Sequence, residues 1–244
     1  MNKKKFISKI DKRFLYGIAH RGLHNENYTE NGLNAFRHAV EHDLAFEFDI
    51  HLTKDNHLIV CHDENLKRTT GKEGIIEDLT LAEIRTNYHL LDGGVVPTLQ
   101  DVLELNKERV PMVIELKVFR KNYKPLAKQA KLELKQIKDR SKVMIISFDP
   151  RSLWPFAHQG FMRSLLVAKS DEYTWPFRHT VESVDLEQVF IPEKRVQRYA
   201  KKHFVNVWTI EKEEQLDAVL AHVDTVTFQH LDPTLVKNKL TKKA

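Results

Sequence analysis

The sequence predicts an α/β protein folded as a (β/α)8 TIM barrel with a small insertion over the barrel mouth. Short apolar runs rich in β-branched and aromatic residues alternate with longer segments of helical period, which is typical of parallel βα units. About eight such units occur, enough to close a barrel. The 244 residues also suit one barrel, without a repeat or a Gly/Ser/Pro-rich linker to divide them. We therefore expect residues 1–244 to form a single domain.

The predicted strands and helices follow one another along the chain. The apolar runs predict strands at residues 15–20, 45–52, 111–117, 143–148, 164–168, 183–190, 205–210 and 225–231. The intervening periodic segments predict helices at residues 31–42, 98–107, 126–138, 150–158, 192–203 and 211–222. Residues 173–179, which contain Trp175 and Pro176, interrupt the sixth unit and are predicted to form a loop of their own.

One longer insertion, residues 54–97, separates the second and third barrel strands. Residues 54–57 (KDNH) predict a hairpin turn that leads into residues 58–62. A short helix at residues 80–87 and a loop at residues 92–94 (DGG) follow. We expect this insertion to lie over the barrel mouth and to wall the substrate site.

The composition indicates a soluble globular protein, with 41% hydrophobic and 30% charged residues. No apolar segment of the sequence approaches the ~20 residues that a helix needs to cross a bilayer. The net charge of +5 favours anionic partners, but the lysines are scattered over helical segments. We expect no nucleic-acid partner and at most weak association with anionic membrane surfaces. The single cysteine, Cys61, excludes an intrachain disulfide and favours the cytoplasm, although a soluble piece of a longer membrane protein would look the same.

Acidic residues on neighbouring predicted strands indicate a metal site. Because side chains alternate along a strand, Glu47, Asp49 and His51 share one face, and Glu115 and Lys117 share a face of the next barrel strand. Two carboxylates about 4 Å apart repel by roughly 4 kcal/mol at an intermediate dielectric. Converging carboxylates therefore imply raised pKa values or a bound cation, and all-oxygen ligands favour Mg²⁺, Ca²⁺ or Mn²⁺ over zinc. Structural ion pairs with nearby bases are the alternative.

Two of the thirteen histidines stand at positions suited to acid–base chemistry. His20 ends the first predicted strand, and His62 ends the hairpin run. An imidazole can give or take a proton near neutral pH, so this pair could divide the base and acid roles at a phosphate. His51 is interpreted as a supporting or packing residue, and Cys61 as a small buried residue rather than a nucleophile.

These residues, taken in order, closely resemble the glycerophosphodiester phosphodiesterase family. The matching runs are His20-Arg21-Gly22, Glu30-Asn31, Ala35-Phe36, residues 47–55 (EFDIHLTKD), His62-Asp63, residues 68–71 (RTTG), 78–80 (DLT), 97–99 (PTL) and 114–117 (IELK). The match is dense from residue 15 to residue 117. Later strands match at residues 147–149 (SFD) and 207–210 (VWTI).

The sequence also departs from the family pattern. Glu211 stands where the family usually has Asn, and residues 226–230 (VTFQH) replace a usual Thr-Asp pair. Near the start, Thr29 replaces a usual Pro and Gly32 a usual Thr. These departures leave the proposed catalytic set intact, and they concern substrate contacts from the far side of the barrel.

The resemblance implies metal-dependent hydrolysis of glycerophosphodiesters to sn-glycerol 3-phosphate and an alcohol. One divalent cation, Mg²⁺ or Ca²⁺ and alternatively Mn²⁺, would be held by Glu47, Asp49 and Glu115. Glu30 would face the metal or its water shell. The partner of the enzyme would be a small-molecule phosphodiester.

The same resemblance assigns His20 and His62 as the acid–base pair, Arg21 as the phosphate contact and Lys117 as its assistant. Sequence alone leaves the division between the histidines open; we expect His20 to activate the nucleophile, water or the neighbouring glycerol hydroxyl, and His62 to protonate the departing alcohol. Trp208 ends a predicted strand, where it either lines the substrate site or packs in the core.

Two other functions fit the sequence. A lysophospholipase D or related lipid phosphodiesterase would suit the basic surface and the aromatic residues Tyr88, Trp175 and Phe177. A catalytically inactive barrel that binds a phosphorylated ligand is the second, although such a module would not need two histidines beside three carboxylates.

Overall fold

Eight parallel strands close into a barrel in the computed structural model, which describes residues 1–242. Together with the hairpin strand β3, the sheet has nine strands: β1 (Ile18–Ala19), β2 (Ala45–Leu52), β3 (Leu58–Val60), β4 (Met112–Leu116), β5 (Val143–Ser147), β6 (Met162–Val167), β7 (Ser183–Glu187), β8 (Val205–Ile210) and β9 (Thr225–Phe228). All except β3 pair in parallel, and β1 closes the barrel by pairing with both β2 and β9. The predicted TIM barrel is confirmed.

Helices occupy most of the connections between these strands. They are α1 (Lys3–Ile7), α2 (Leu33–Glu41), α3 (Lys67–Thr70), α4 (Leu81–Asn87), α5 (Leu99–Asn106), α6 (Tyr123–Glu133), α7 (Pro150–Leu153), α8 (Lys194–Ala200), α9 (Glu213–Val219) and α10 (Pro233–Lys242). Between β6 and β7 the chain instead forms a 3-10 segment, Lys169–Thr180, which includes the predicted loop at residues 173–179. None of the helices within residues 1–242 has the length and apolarity needed to span a membrane.

The first and last strands are shorter than predicted, and the backbone explains both differences. Residues Lys12–Tyr16 form a 3-10 helix whose first turn is capped by the side chain of Asp11, so only two residues of the run 15–20 pair as a strand. The last strand ends at Phe228, two residues before His230, whose φ of 60° is incompatible with extended backbone. Residues 183–190 likewise end as a strand at Glu187 and continue as a 3-10 turn.

Alternation along the strands separates two apolar cores. On β2, Ala45 faces the barrel interior, whereas Phe46 and Phe48 face outward and pack against Phe36 of α2, with ring centroids 4.9 and 5.5 Å apart. The amino-terminal segment, which the sequence analysis left unassigned, contributes Phe6 to the interior core. The interior is therefore apolar at its base, and polar side chains are left to gather at the carboxyl ends of the strands.

The insertion folds against the barrel on a small core of its own. Strand β3 pairs antiparallel with the end of β2, which confirms the predicted hairpin. Thr80 begins α4 with a capping box, in which its hydroxyl accepts from the backbone of Glu83 and the Glu83 carboxylate accepts from the backbone of Thr80. Buried Ile59 of β3 and Ile84 of α4 both lie in this core, which joins the hairpin strand to the rest of the insertion. The insertion thereby fixes the position of His62, which follows β3.

Candidate active site

Three buried carboxylates meet at the carboxyl ends of β2 and β4. The register of these strands places Asp49 directly beside Glu115, and alternation brings Glu47 to the same interior face. Carboxylate oxygens of the three residues lie within 4.8 Å of one another. Their exposed fractions are 3% for Glu47, 1% for Asp49 and 7% for Glu115. The three residues thus share the interior face, as the alternation along the strands predicted.

Two basic side chains border the carboxylates. The Lys117 ammonium lies 2.9 Å from Glu115 Oε1 and 3.6 Å from Asp49 Oδ1, and Arg21 Nε lies 3.7 Å from Asp49 Oδ2. Burial raises the pKa of Glu47, as do the neighbouring charges of Asp49 and Glu115. Burial raises the pKa of Glu115 to about 7. Burial also acts to raise the pKa of Asp49, but Lys117 and Arg21 outweigh it and lower that pKa.

The chemistry of this donor set fits a hard divalent cation. Three carboxylates face two neighbouring cationic side chains, so the cluster carries an excess of acidic groups in a buried position. Carboxylate oxygens are the ligands that Mg²⁺, Ca²⁺ and Mn²⁺ prefer. Glu47, Asp49 and Glu115 could therefore hold one metal ion.

The loop after β1 places a guanidinium beside the cluster. Arg21 has a φ of 55°, and its backbone N–H donates to Glu47 Oε2 at 3.0 Å. Its guanidinium donates to Glu30 Oε1 at 2.9 Å. Asn31, with a φ of 58°, donates from its amide to Asp49 Oδ2 at 2.9 Å. Glu30, expected to face the metal or its water shell, pairs with Arg21 and Arg68.

His20 extends from the end of β1 toward the same cluster. Its Nε2 lies 4.0 Å from Glu47 Oε2, and its Nδ1 lies 2.7 Å from the amide oxygen of Gln229. Burial lowers the pKa of His20 to about 3, and the charge of Arg21 acts in the same direction. Burial therefore favours the neutral form of His20.

His62 approaches from the insertion and has a charged partner. Its Nδ1 lies 2.7 Å from Asp63 Oδ1, and the other oxygen of Asp63 accepts from Arg68 Nε at 2.6 Å. Burial lowers the pKa of His62, whereas the hydrogen bond to Asp63 acts to raise it. His51 supports this arrangement, because its ring lies between Glu77 and the backbone carbonyl of His62, at 2.7 and 3.2 Å.

A cavity of about 220 Å³ connects the histidines with the carboxylates. Its lining includes His20, Arg21, Glu47, His62, Glu115 and Trp208. The indole N–H of Trp208 donates to the carbonyl of Asp185 at 3.1 Å, so the ring presents only its apolar surface. The sequence-predicted site residues thus lie together, with Lys117 on the adjoining groove.

That groove, of about 610 Å³, continues from the cavity and shares His62 and Glu115 with it. Three exposed aromatic residues line it: Trp154, Tyr173 and Phe177. Of the aromatic residues that the sequence suggested for a lipid substrate, Phe177 lines the groove, but Tyr88 and Trp175 are buried.

Some residues of the site were not recognised in the sequence. Asn31, Asp63 and Arg68 lie within the motifs quoted above, and the adjacency of His62 and Asp63 was the available signal for that pair. Gln229 follows β9 within the run 226–230 that departs from the family pattern, and its contact with His20 depends on barrel closure. Cys61 is buried as predicted, and burial raises the pKa of its thiol to about 12.

Comparisons with known proteins identify the family of this chain. The sequence profile of the glycerophosphoryl diester phosphodiesterase family matches residues 20–232. A glycerophosphodiester phosphodiesterase of Caldanaerobacter subterraneus is 30% identical over 92% of this chain and 97% of its own length. A lysophospholipase D of Homo sapiens is 38% identical over 47% of this chain but only 33% of its own length.

Solved structures share the fold. A phosphodiesterase of Oleispira antarctica, determined in complex with sn-glycerol-3-phosphate, superposes with a TM-score of 0.78 at 23% identity over 92% of this chain and 96% of its own. A glycerophosphodiester phosphodiesterase of Parabacteroides distasonis has a TM-score of 0.76 at 23% identity and covers 93% of this chain and 96% of its own. From its residues, its barrel and these matches, the chain belongs to the glycerophosphoryl diester phosphodiesterase family and is a phosphoric diester hydrolase.

Proposed function

We propose that this chain hydrolyses glycerophosphodiesters to sn-glycerol 3-phosphate and an alcohol, using one divalent cation held by Glu47, Asp49 and Glu115. The observation that carries the proposal is the convergence of the three carboxylates, within 4.8 Å, beside a cavity that Glu47 and Glu115 line together with His20 and His62. We expect Mg²⁺ or Ca²⁺, with Mn²⁺ as the alternative. When bound, the cation would neutralise charge as the transition state forms.

Arg21 and Lys117 are proposed to bind the phosphate. Both lie against Asp49, at 3.7 and 3.6 Å, so their charges already face the position proposed for the cation. Arg21 Nε is buried and has no hydrogen-bond partner within residues 1–242. A phosphate oxygen would provide that partner, and the planar guanidinium suits the geometry of an oxyanion.

The partners of the two histidines favour different roles. His20 meets a neutral amide at Nδ1, and burial favours its unprotonated form, which leaves Nε2 as the candidate base. His62 meets the carboxylate of Asp63, which stabilises the protonated imidazolium needed for an acid. We therefore assign His20 to deprotonate water or the glycerol hydroxyl and His62 to protonate the departing alcohol. Trp208 would pack its ring surface against the glycerol or head group.

The test is turnover of a glycerophosphodiester panel with chelator or with added Mg²⁺, Ca²⁺ or Mn²⁺. We expect chelator to abolish activity, and His20→Ala and His62→Ala each to lower kcat by about 10²- to 10⁴-fold while folding normally. His222→Ala, which changes a histidine outside the cavity, serves as the control. Full activity of either site variant would remove that histidine from the mechanism. Absence of turnover with every metal would indicate a barrel that only binds phosphorylated ligands.

The aromatic groove favours a second candidate, hydrolysis of lysophospholipids. Trp154 and Tyr173 are 52% and 74% exposed beside the catalytic cavity, an arrangement suited to a hydrocarbon chain. A higher kcat/KM for lysophosphatidylcholine than for glycerophosphocholine, lost in Tyr173→Ala, would support this candidate. Equal sensitivity of both substrates to Tyr173→Ala would count against it.

A further inference from the structure

Gln229, directly after β9, bridges two groups that lie on different strands. Its amide nitrogen donates to Glu211 Oε1 at 2.5 Å, and its amide oxygen lies 2.7 Å from His20 Nδ1. Glu211 is held in turn by Gln215, whose side-chain oxygen accepts from the backbone N–H of Glu211 at 2.9 Å. The start of α9 is thereby linked through Gln229 to the end of β1.

The chemistry of these contacts fixes the direction of each hydrogen bond. A carboxylate only accepts, so the amide nitrogen of Gln229 must face Glu211 and its oxygen must face His20. An amide oxygen also only accepts, so the proton of neutral His20 must be on Nδ1. The lone pair is then on Nε2, which lies 4.0 Å from Glu47 Oε2. A second ring, that of His24, brings Nε2 to 3.4 Å from the same amide oxygen, as expected of an acceptor.

We propose that Gln229, oriented by Glu211, is a positioning residue that holds His20 in the Nδ1–H tautomer with Nε2 directed at the reacting phosphate. This inference rests on the proposed role of His20 as the base. Without the pair formed by Gln229 and Glu211, either tautomer of His20 could form and its ring could turn. The Nε2–H tautomer would have no lone pair on Nε2 to accept a proton from the nucleophile.

The pair is not needed to build the barrel. Strands β8 and β9 already pair through their backbones, and the backbone N–H of Gln229 donates to the carbonyl of Ile210 at 3.0 Å whatever its side chain is. Glu211 is exposed and Gln229 half-buried. Substitution of either side chain should therefore leave the fold intact and alter His20 directly.

The first test is Gln229→Leu, which removes the hydrogen bond at similar size. We expect kcat to fall by about 10- to 100-fold, as is typical for residues that orient a functional group, with KM little changed. Gln197→Leu is the matched control, because Gln197 is also half-buried but donates to Ile191 away from the cavity. A kcat of Gln229→Leu within twofold of wild type would overturn the proposal.

The second test exchanges the carboxylate and the amide between positions 211 and 229, so that both hydrogen bonds can form again. Combining Gln229→Glu with Glu211→Gln again places an accepting oxygen toward His20 and a donating amide behind it, and we expect most of the lost kcat to return. Gln229→Glu alone should not do so, because two carboxylates would meet at the position where the wild type has a bond of 2.5 Å. Failure of the double variant to exceed the Gln229→Leu variant would contradict the positioning role.

Nitrogen-15 NMR of the Mg²⁺-loaded protein separates this inference from the proposed function. The His20 ring signals, assigned by their loss in His20→Ala, should show Nδ1 protonated and Nε2 unprotonated in wild type and a mixture in Gln229→Leu. A protonated Nε2 in wild type would overturn the inference whatever the activities are. Full activity of His20→Ala would instead overturn the proposed base, and it would leave the measured tautomer standing.

Discussion

Two buried aspartates on opposite walls of the barrel show how the same residue acquires different chemistry. Asp49 on β2 and Asp185 on β7 are each 1% exposed, and four strand positions separate them in either direction around the barrel. Arg21 and Lys117 flank Asp49 and lower its pKa. Asp185 accepts from two neutral groups, Ser164 Oγ at 2.7 Å among them, and burial raises its pKa to about 6.

The comparison shows that burial alone does not decide the charge of a carboxyl group. Desolvation penalises both aspartates, and only on the wall that supplies cationic side chains is the pKa of the aspartate lowered. The wall formed by β1, β2 and β4 therefore carries both the carboxylates and the cationic side chains that the proposed function requires. The opposite wall, where Asn206 also donates to Asp185, is suited to neutral polar contacts.

The largest effect should come from removing the charge of Asp49, on the wall formed by β1, β2 and β4. In Asp49→Asn we expect kcat/KM to fall by about 10³-fold or more, since charge stabilisation by the metal is worth several kcal/mol. Calorimetric titration with Mg²⁺ or Ca²⁺ should show the affinity lost as well. Asp185→Asn is the matched control, since the same change on the other wall should lower kcat/KM by less than about tenfold. Equal losses of kcat/KM in the two variants would contradict the different roles assigned to Asp49 and Asp185.

A smaller effect is expected at Asp63, the carboxylate that supports His62. Asp63→Asn removes the interaction that acts to raise the pKa of His62, so this pKa should fall further below its ordinary value. An acid works only while protonated, and the alkaline limb of the kcat profile should therefore move to lower pH, with kcat at pH 7 reduced by about tenfold. Asp217→Asn, at an exposed position, is the control. An unmoved alkaline limb would argue against His62 as the acid.

Prediction from sequence succeeded where the pattern is local to one strand. The alternation at Glu47 and Asp49 placed both on the interior face, and residues 45–52 and 205–210 have the predicted strand bounds. It missed the contact between Gln229 and His20, because a closed barrel predicts that the first and last strands are neighbours but no local pattern says which side chains meet at their ends.

Asp185 shows a second kind of failure. A lone acid within an apolar run looks the same in sequence whether it pairs with a cation, faces solvent or stays protonated, and only its neighbours on adjacent strands distinguish these states. The start of the first strand was mispredicted because residues 15 and 16 look like part of the apolar run but belong to the 3-10 turn Lys12–Tyr16, which the side chain of Asp11 caps.

The smallest effect concerns the contribution of Asp185, on the opposite wall, to the stability of the fold. The folded pKa of Asp185, about 6, lies above its ordinary value of 3.8, so its contribution to stability is present in full below about pH 4 and is lost as the pH rises through 6. The free energy of unfolding of wild type, minus that of Asp185→Asn, should therefore fall by up to ~3 kcal/mol between about pH 4 and pH 7. Urea unfolding of both proteins across this range measures the difference, in which the other titrating groups cancel. A difference independent of pH would mean that folding does not raise the pKa of Asp185, and burial on that wall would then have no net effect on the carboxyl group.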